Sequence, residues 1–211
     1  MSKIIFIFDG PPASGKTTLS KRLAQKLHCP YLRYKALGYA NIISTVILQL
    51  IPRYSIIRIK SIQTKEDPVL LLDSCLLRKM RLIIFLTEIP YKISQAIMLL
   101  FLSFIYRFLV IDEFFTLRIA NYINVYLHGG LSDWQVKLLI RIDLALLRVL
   151  AKHKSILYIY TNRHIEELKK LWHKREYNKK YSEEYLTIVR FIWKMYQETI
   201  GDFAQILQIA G

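Results

Sequence analysis

Eight consecutive residues, Gly10, Pro11, Pro12, Ala13, Ser14, Gly15, Lys16 and Thr17, fit the spacing G-x-x-x-x-G-K-[ST]. The chemistry this pattern serves is the cradling of phosphate. A tight turn points successive backbone N–H groups inward, and the helix that follows adds the positive end of its dipole. In that setting Lys16 reaches the terminal phosphates of a nucleoside triphosphate, the Thr17 hydroxyl holds magnesium, and Thr18 completes the phosphate-binding set. The flanks suit the motif: the apolar run Ile4 to Phe8 leads into the turn, and a segment of helical character leaves it.

A second chemical signal is Leu109-Val110-Ile111-Asp112-Glu113, an apolar strand that ends in two carboxylates. Beside a phosphate loop, an acid at such a strand end approaches the magnesium shell and can accept a proton from an attacking hydroxyl. Asp112 is expected in that role. Glu113 either polarises the nucleophile or lies in solvent, and Asp9 is either a third acid near the metal or a turn residue. A third signal is the basic segment Arg163 to Arg175. At about 100° per residue, Arg163, Lys170 and Lys174 share one helical face, with Leu168, Leu171 and Trp172 opposite. Such cations either close on a γ-phosphate or form a solvated face. Arg175 falls on the apolar side, where it snorkels or points inward.

The elements that must position these groups alternate in the α/β manner. Ile4 to Phe8, Phe108 to Ile111 and Ser155 to Tyr160 are continuous apolar runs, the signature of parallel strands buried on both faces. Tyr31 to Tyr34 is a short extended piece and Ala204 to Ile209 an edge strand. A first helix is expected from about Gly15 to Leu27, with Leu19, Leu23 and Leu27 facing the sheet. A second covers Ala36 to Leu50. Arg53 to Ile62 is ambiguous. Asp67 and Pro68 read as the start of a helix to about Leu86, Pro90 as its interruption, and Lys92 to Tyr106 as a separate helix. Further helices follow over Phe115 to Leu127, from the capping box Ser132-x-x-Gln135 to Lys152, from an Asn162 cap to Arg175, and from Ser182 to Ile200. Leu186, Val189, Trp193 and Tyr196 mark the buried side of the last.

The chain of 211 residues carries 31 Lys+Arg against 16 Asp+Glu, a formal charge of +15. A single domain is the expectation at this length. So basic a surface favours polyanions, whether nucleotides, nucleic acids or anionic lipids, unless the charge is a general trait of the source proteome. Two cysteines, Cys29 and Cys75, make neither a disulfide framework nor a zinc set, which points to a reducing, cytoplasmic setting. No signal peptide is expected, because the first apolar run passes straight into Asp9. Mean hydropathy is nevertheless +0.23. Two uncharged stretches, Ala36 to Pro52 and Ile93 to Tyr106, account for much of it, and both fall short of the ~20 residues a spanning helix needs. They read as buried helices or, more sharply, as a membrane-facing surface.

The segment Phe8 to Thr18 resembles the F-E-G-x-D-G-x-G-K-T-T opening of thymidylate kinases, and its Gly-Pro-Pro portion is similar to adenylate and cytidylate kinases. Asp112-Glu-Phe, followed by Ala120-Asn-Tyr122, resembles the D-R-Y…A-Y-Q segment of that family. The resemblance implies a three-layer α/β/α P-loop domain over residues 1–211 with a mostly parallel five-stranded sheet. It also implies ATP and magnesium as the donor pair, and a lid over about 162–181 built around Lys170, Lys174 and Arg175.

Two departures bear on the acceptor. Thymidylate kinases carry an Asp inside the loop where this chain has Pro12, and an Arg after the strand-end Asp where it has Glu113. An anionic acceptor beside Glu113 would meet repulsion instead of a guanidinium fork. The T-R-E-P segment is also absent, unless Arg33-Tyr34-Lys35 is its remnant. The expectation is therefore a kinase acting on a small-molecule acceptor other than thymidylate. A P-loop ATPase or switch, and a kinase of nucleic-acid ends, are the alternatives. A homodimer and peripheral contact with anionic membrane are further expectations.

Overall fold

A computed structural model describes residues 3–50, 69, 72, 74–174 and 183–210. Five strands and seven helices follow in chain order: β1 (Ile4–Asp9), α1 (Lys16–Lys26), β2 (Tyr31–Arg33), α2 (Gly38–Leu50), α3 (Ser74–Ile105), β3 (Phe108–Asp112), α4 (Thr116–Leu127), α5 (Asp133–His153), β4 (Ser155–Asn162), α6 (Ile165–Lys174), α7 (Glu183–Gly201) and β5 (Gln205–Ala210). The strands form one sheet in the order β2-β3-β1-β4-β5, and every neighbouring pair is parallel. The ambiguous segment Arg53 to Ile62, the Asp67-Pro68 start and Ser182 lie outside the described residues.

Alternation along β1 explains the layers. Ile5 and Ile7 join a core with Leu99, Phe115, Leu147 and Trp193 from the helices of one face. Phe8 turns the other way, to Val110, Ile159 and Ala24 of α1. A strand buried on both faces cannot alternate apolar with polar, which is why β1, β3 and β4 read as unbroken apolar runs.

Register then decides which chain ends meet. Phe8 pairs with Asp112, Asp9 with Tyr160, and Arg33 with Asp112. Residues some eighty to a hundred and fifty positions apart thus share one carboxyl edge, beside the central strand where a doubly wound sheet opens its ligand crevice.

Four local expectations are corrected. The buried face of α1 is Lys16, Ser20 and Ala24, not the leucine stripe, and Leu19 is exposed. Small residues let α1 lie close to the sheet, and the leucines fall to its flank. Pro90 does not divide two helices but lies inside α3. Proline removes one helical bond, yet Ile84 and Glu88 before it and Lys92, Gln95 and Leu99 after it are held by the same buried inner face, so packing overrides the break. Asn162 caps no helix, because it is the last residue of β4, and α6 starts three residues later. Val69 belongs to no long helix, which starts instead at Ser74.

Joining the two halves makes α3 the one helix among the described residues long and apolar enough to cross a membrane by length and composition. Its inner face is packed into the domain, while its outer face carries Leu82, Leu86, Ile93, Ile97, Phe101 and Phe104 in solvent. Of the capping box of α5, the Gln135 half is formed: the Ser132 backbone N–H donates to its side-chain oxygen at 2.8 Å. The buried stripe of α7 is as expected, with Leu186, Val189 and Trp193 buried and Tyr196 half-buried against them.

Candidate active site

The phosphate loop needs unusual backbone, and the sequence supplies it. Gly10 has φ +132° and sits so close to β4 that a Cβ would fall 2.3 Å from the Thr161 carbonyl oxygen. Gly15, at φ +94°, makes the left-handed entry to α1. Ala13 adopts φ +64° without being glycine, so the loop stores strain where it must present its N–H groups. Ser14 fastens it to β4 through a 2.5 Å hydroxyl contact with Thr161.

The motif residues converge as their types require. The Thr17 hydroxyl donates to Asp112 Oδ2 at 2.7 Å, and the Tyr31 hydroxyl donates to the same oxygen at 2.9 Å. Asp112 is fully buried, and its Oδ1 has no hydrogen-bond partner among the described residues. Burial pushes its carboxyl above the usual range, and the nearby Lys16 ammonium offsets this only in part. A buried carboxylate oxygen without a donor, next to a threonine hydroxyl at the helix N-terminus, is the donor set a hard divalent cation takes. Thr17 and Asp112 therefore fit magnesium.

Lys16 bends back, donating to the Pro11 carbonyl at 3.3 Å, and lies 3.9 Å from Glu113 Oε1. Glu113 stands in the left-handed region at φ +65°. Arg33 grips it in a fork, Nε to Oε2 at 2.9 Å and Nη2 to Oε1 at 2.7 Å. Burial raises the Glu113 carboxyl, but Lys16 and Arg33 outweigh it and hold it below its ordinary value. Glu113 is thus neither a solvent residue nor a bare negative charge. The repulsion expected for an anionic acceptor is offset by a guanidinium from β2.

Asp9 is not a metal ligand. Its Oδ1 accepts from the Gly10 N–H at 2.8 Å and the Thr116 hydroxyl at 2.6 Å. Its Oδ2 accepts from the N–H groups of Phe115 at 3.0 Å and Thr116 at 2.7 Å, and from the Tyr158 hydroxyl. Five donors saturate both oxygens, so Asp9 joins the phosphate loop to the first turn of α4. Of the lid residues, Lys170 is exposed on α6, while the Lys174 side chain and Arg175 lie outside the described residues.

Arg163, read from the sequence as one of three cations that either close on a γ-phosphate or form a solvated face, is held against the loop backbone. Its Nε donates to the Ser14 carbonyl at 3.2 Å, and its own carbonyl accepts from Arg190 Nη2 at 2.6 Å. With Gly15, Thr18, Leu19 and Ile209 it lines a cavity of about 300 Å³ beside the loop. The signal was its place directly after the carboxyl end of a core strand.

No family model matches the chain, and no curated protein matches it in sequence. Solved structures do match in shape. The deoxyadenosine kinase of M. mycoides with bound dCTP superposes with a TM-score of 0.55 at 16% identity, over 98% of this chain and 89% of that one. The thymidylate kinase of Candida albicans does so with a TM-score of 0.50 at 14% identity, over 100% and 84%. The fold is that of the P-loop nucleoside and nucleotide kinases.

A buried polar cluster lies behind the acid pair. Glu88, Lys92, Arg118 and Asp143 are each at most 1% exposed. Lys92 Nζ lies 2.5 Å from Asp143, and Arg118 Nη2 lies 3.5 Å from Asp143 and 3.9 Å from Glu88. Arg118 also donates to Gln95 and Tyr122 at 3.2 Å each, and its guanidinium lies 4.0 Å from the centre of the Tyr34 ring. The Tyr34 backbone N–H in turn donates to the Asp112 carbonyl at 2.8 Å. Burial lowers the Lys92 ammonium to about 8 and raises the Glu88 carboxyl.

Proposed function

We propose that this protein is an ATP- and magnesium-dependent phosphotransferase that phosphorylates a hydroxyl of a small, uncharged acceptor. The observation that carries the proposal is the 2.7 Å bond from Thr17 to Asp112 at the foot of the phosphate loop, with the second oxygen of Asp112 left for a cation.

The residues divide the work as follows. Backbone N–H groups of Gly10 to Thr17 hold the phosphates, and Lys16 leaves the Pro11 carbonyl for the terminal phosphate. Magnesium, held through Thr17 and Asp112, supplies charge neutralisation on the phosphates when bound. The cavity beside Arg163 takes the base of the donor nucleotide, with the guanidinium over its edge. Glu113, kept as a carboxylate by Lys16 and Arg33, accepts the proton of the attacking hydroxyl. Lys170, Lys174 and Arg175 close as a lid over the transferred group.

An uncharged acceptor is favoured by what Arg33 already does. Its fork is filled by Glu113, and Pro12 offers the acceptor no side-chain acceptor or donor. A monophosphate would have to take Arg33 away from the half-buried Glu113 carboxylate. Nucleosides, sugars and lipid alcohols need no such exchange.

A thermal-shift screen of nucleosides, nucleoside monophosphates, sugars and polyprenols, run with a non-hydrolysable ATP analogue and magnesium, tests this, because a true ligand stabilises by mass action. Stabilisation by an uncharged alcohol, and only in the presence of the analogue, is the expected result. Stabilisation by monophosphates alone would overturn the acceptor class.

A further inference from the structure

Three parallel strands that lie side by side each begin directly after a cation. Arg107 precedes β3, Lys3 precedes β1 and Lys154 precedes β4. The register aligns their first residues, since Ile4 pairs with both Phe108 and Ser155. The Ile4 N–H donates to the Arg107 carbonyl at 2.9 Å, and the Ser155 N–H donates to the Lys3 carbonyl at 3.1 Å. Neighbouring strands stand about 4.8 Å apart, so the three cations cross the amino edge of the sheet in one row. Lys152 and His153 extend it along the last turn of α5.

Among the described residues none of Lys3, Arg107, Lys152 and Lys154 forms an ion pair. Burial and the neighbouring Lys3 ammonium hold Lys154 below its ordinary value, as like charges do when no acid separates them. The acids Glu198 and Asp202 stand ahead of β5, at the far edge of the sheet. Into this row runs the end of α3. Its last turn leaves Phe101, Phe104 and Ile105 at 62%, 58% and 56% exposed, on one helical face by their spacing. Phe104 ties the two groups together. Its carbonyl accepts from Lys3 Nζ at 2.5 Å, and its ring centre lies 5.4 Å from the Lys154 ammonium and 6.3 Å from the His153 ring.

We infer that the amino edge of the sheet docks on the surface of an anionic bilayer. An interfacial element sets apolar and aromatic side chains just below the head groups and keeps its cations among them. Phe101, Phe104 and Ile105 supply the first part, and Lys3, Arg107, Lys152 and Lys154 the second. A nucleic-acid backbone would engage the cations but leave Phe101 and Ile105 against phosphate and water. The bilayer satisfies both groups at once. The phosphate loop follows the other end of β1, a strand of six residues, and so stands about 20 Å from the docked edge. Docking by this edge therefore leaves the site facing water.

The test is co-sedimentation of the full-length protein with vesicles of phosphatidylcholine alone and of phosphatidylcholine mixed with phosphatidylserine. Capture by the anionic vesicles only, weakening as salt is added, is the expected result. Each cation near an anionic leaflet is worth about fivefold in partition, so Arg107→Gln with Lys154→Gln should bind about 25-fold more weakly. Phe104→Ser should weaken binding as well while leaving its salt dependence in place. Circular dichroism checks the fold of each variant, and either one carries the test should the other misfold. A wild type that stays in the supernatant with anionic vesicles, equal capture by neutral ones, or capture indifferent to both variants would overturn the inference. Binding to a DNA oligonucleotide with no capture by vesicles would assign the edge to nucleic acid and overturn it too. Neither ATP nor an acceptor enters these readings, so docking and the proposed activity fail separately.

Discussion

Tyr31 donates its phenolic hydroxyl to Asp112 Oδ2 at 2.9 Å, across the edge of the sheet from β2 to β3. Together with the Thr17 hydroxyl it saturates one oxygen of a buried carboxylate, and the other has no hydrogen-bond partner among the described residues. Tyr31→Phe keeps the ring and removes the donor. Outer partners of this kind are worth about 10–100-fold in metal affinity, so the variant should need that much more magnesium for half-maximal stabilisation by ATP. Unchanged magnesium dependence would show that Thr17 alone orients Asp112.

Arg33 and Glu113 predict a pH effect with a definite sign. Glu113 is held below its ordinary value. The stability it contributes is therefore complete above the unfolded value of about 4.3 and lost as pH falls through the lower folded value. Arg33→Ala removes the fork and leaves the cations Lys16 and Lys35. Melting temperature should then fall less steeply with pH below about 4.3 than in the wild type. Parallel curves would mean that the pair holds no proton-linked energy.

Gly10→Ala should damage both loop and sheet. The added carbon would meet the Thr161 carbonyl at 2.3 Å, in a backbone conformation that side chains rarely adopt. Strain of roughly 1–3 kcal/mol before the clash is the expected minimum, read as loss of stability and of nucleotide binding together. A variant of normal stability would mean that β4 can retreat from the loop.

Arg118→Met leaves Lys92 as the one buried cation, among the described residues, that acts on both Glu88 and Asp143. Breaking a buried network this way costs about 3–5 kcal/mol, which denaturant unfolding would measure. A loss under about 1 kcal/mol would mean that the carboxylates take up protons instead.

Much of this was legible in the residues. The phosphate loop, the strand ending in Asp112 and the order of elements follow from local pattern, because a strand buried on both faces and a glycine-bounded turn each leave a continuous signature. Other features were not, for want of partners in the sequence. Asp9 looked like a metal ligand until Thr116, Tyr158 and the N–H of Phe115 converged on it from far along the chain. Glu113 looked like an uncompensated charge because Arg33 reaches it only through the pairing of β2 with β3. Pro90 looked like a break because the inner-face contacts that carry α3 through it lie on other helices.

The most direct measurement follows the γ-phosphate of labelled ATP in the presence of magnesium and a panel of neutral alcohols and nucleoside monophosphates, thymidylate included. The wild type should move label to a neutral hydroxyl, at ordinary kinase rates of about 1–100 per second, and to thymidylate far more slowly. Lys16→Ala should move none while keeping its fold. Label that appears only as inorganic phosphate, or transfer that survives Lys16→Ala undiminished, would contradict phosphate transfer through this loop.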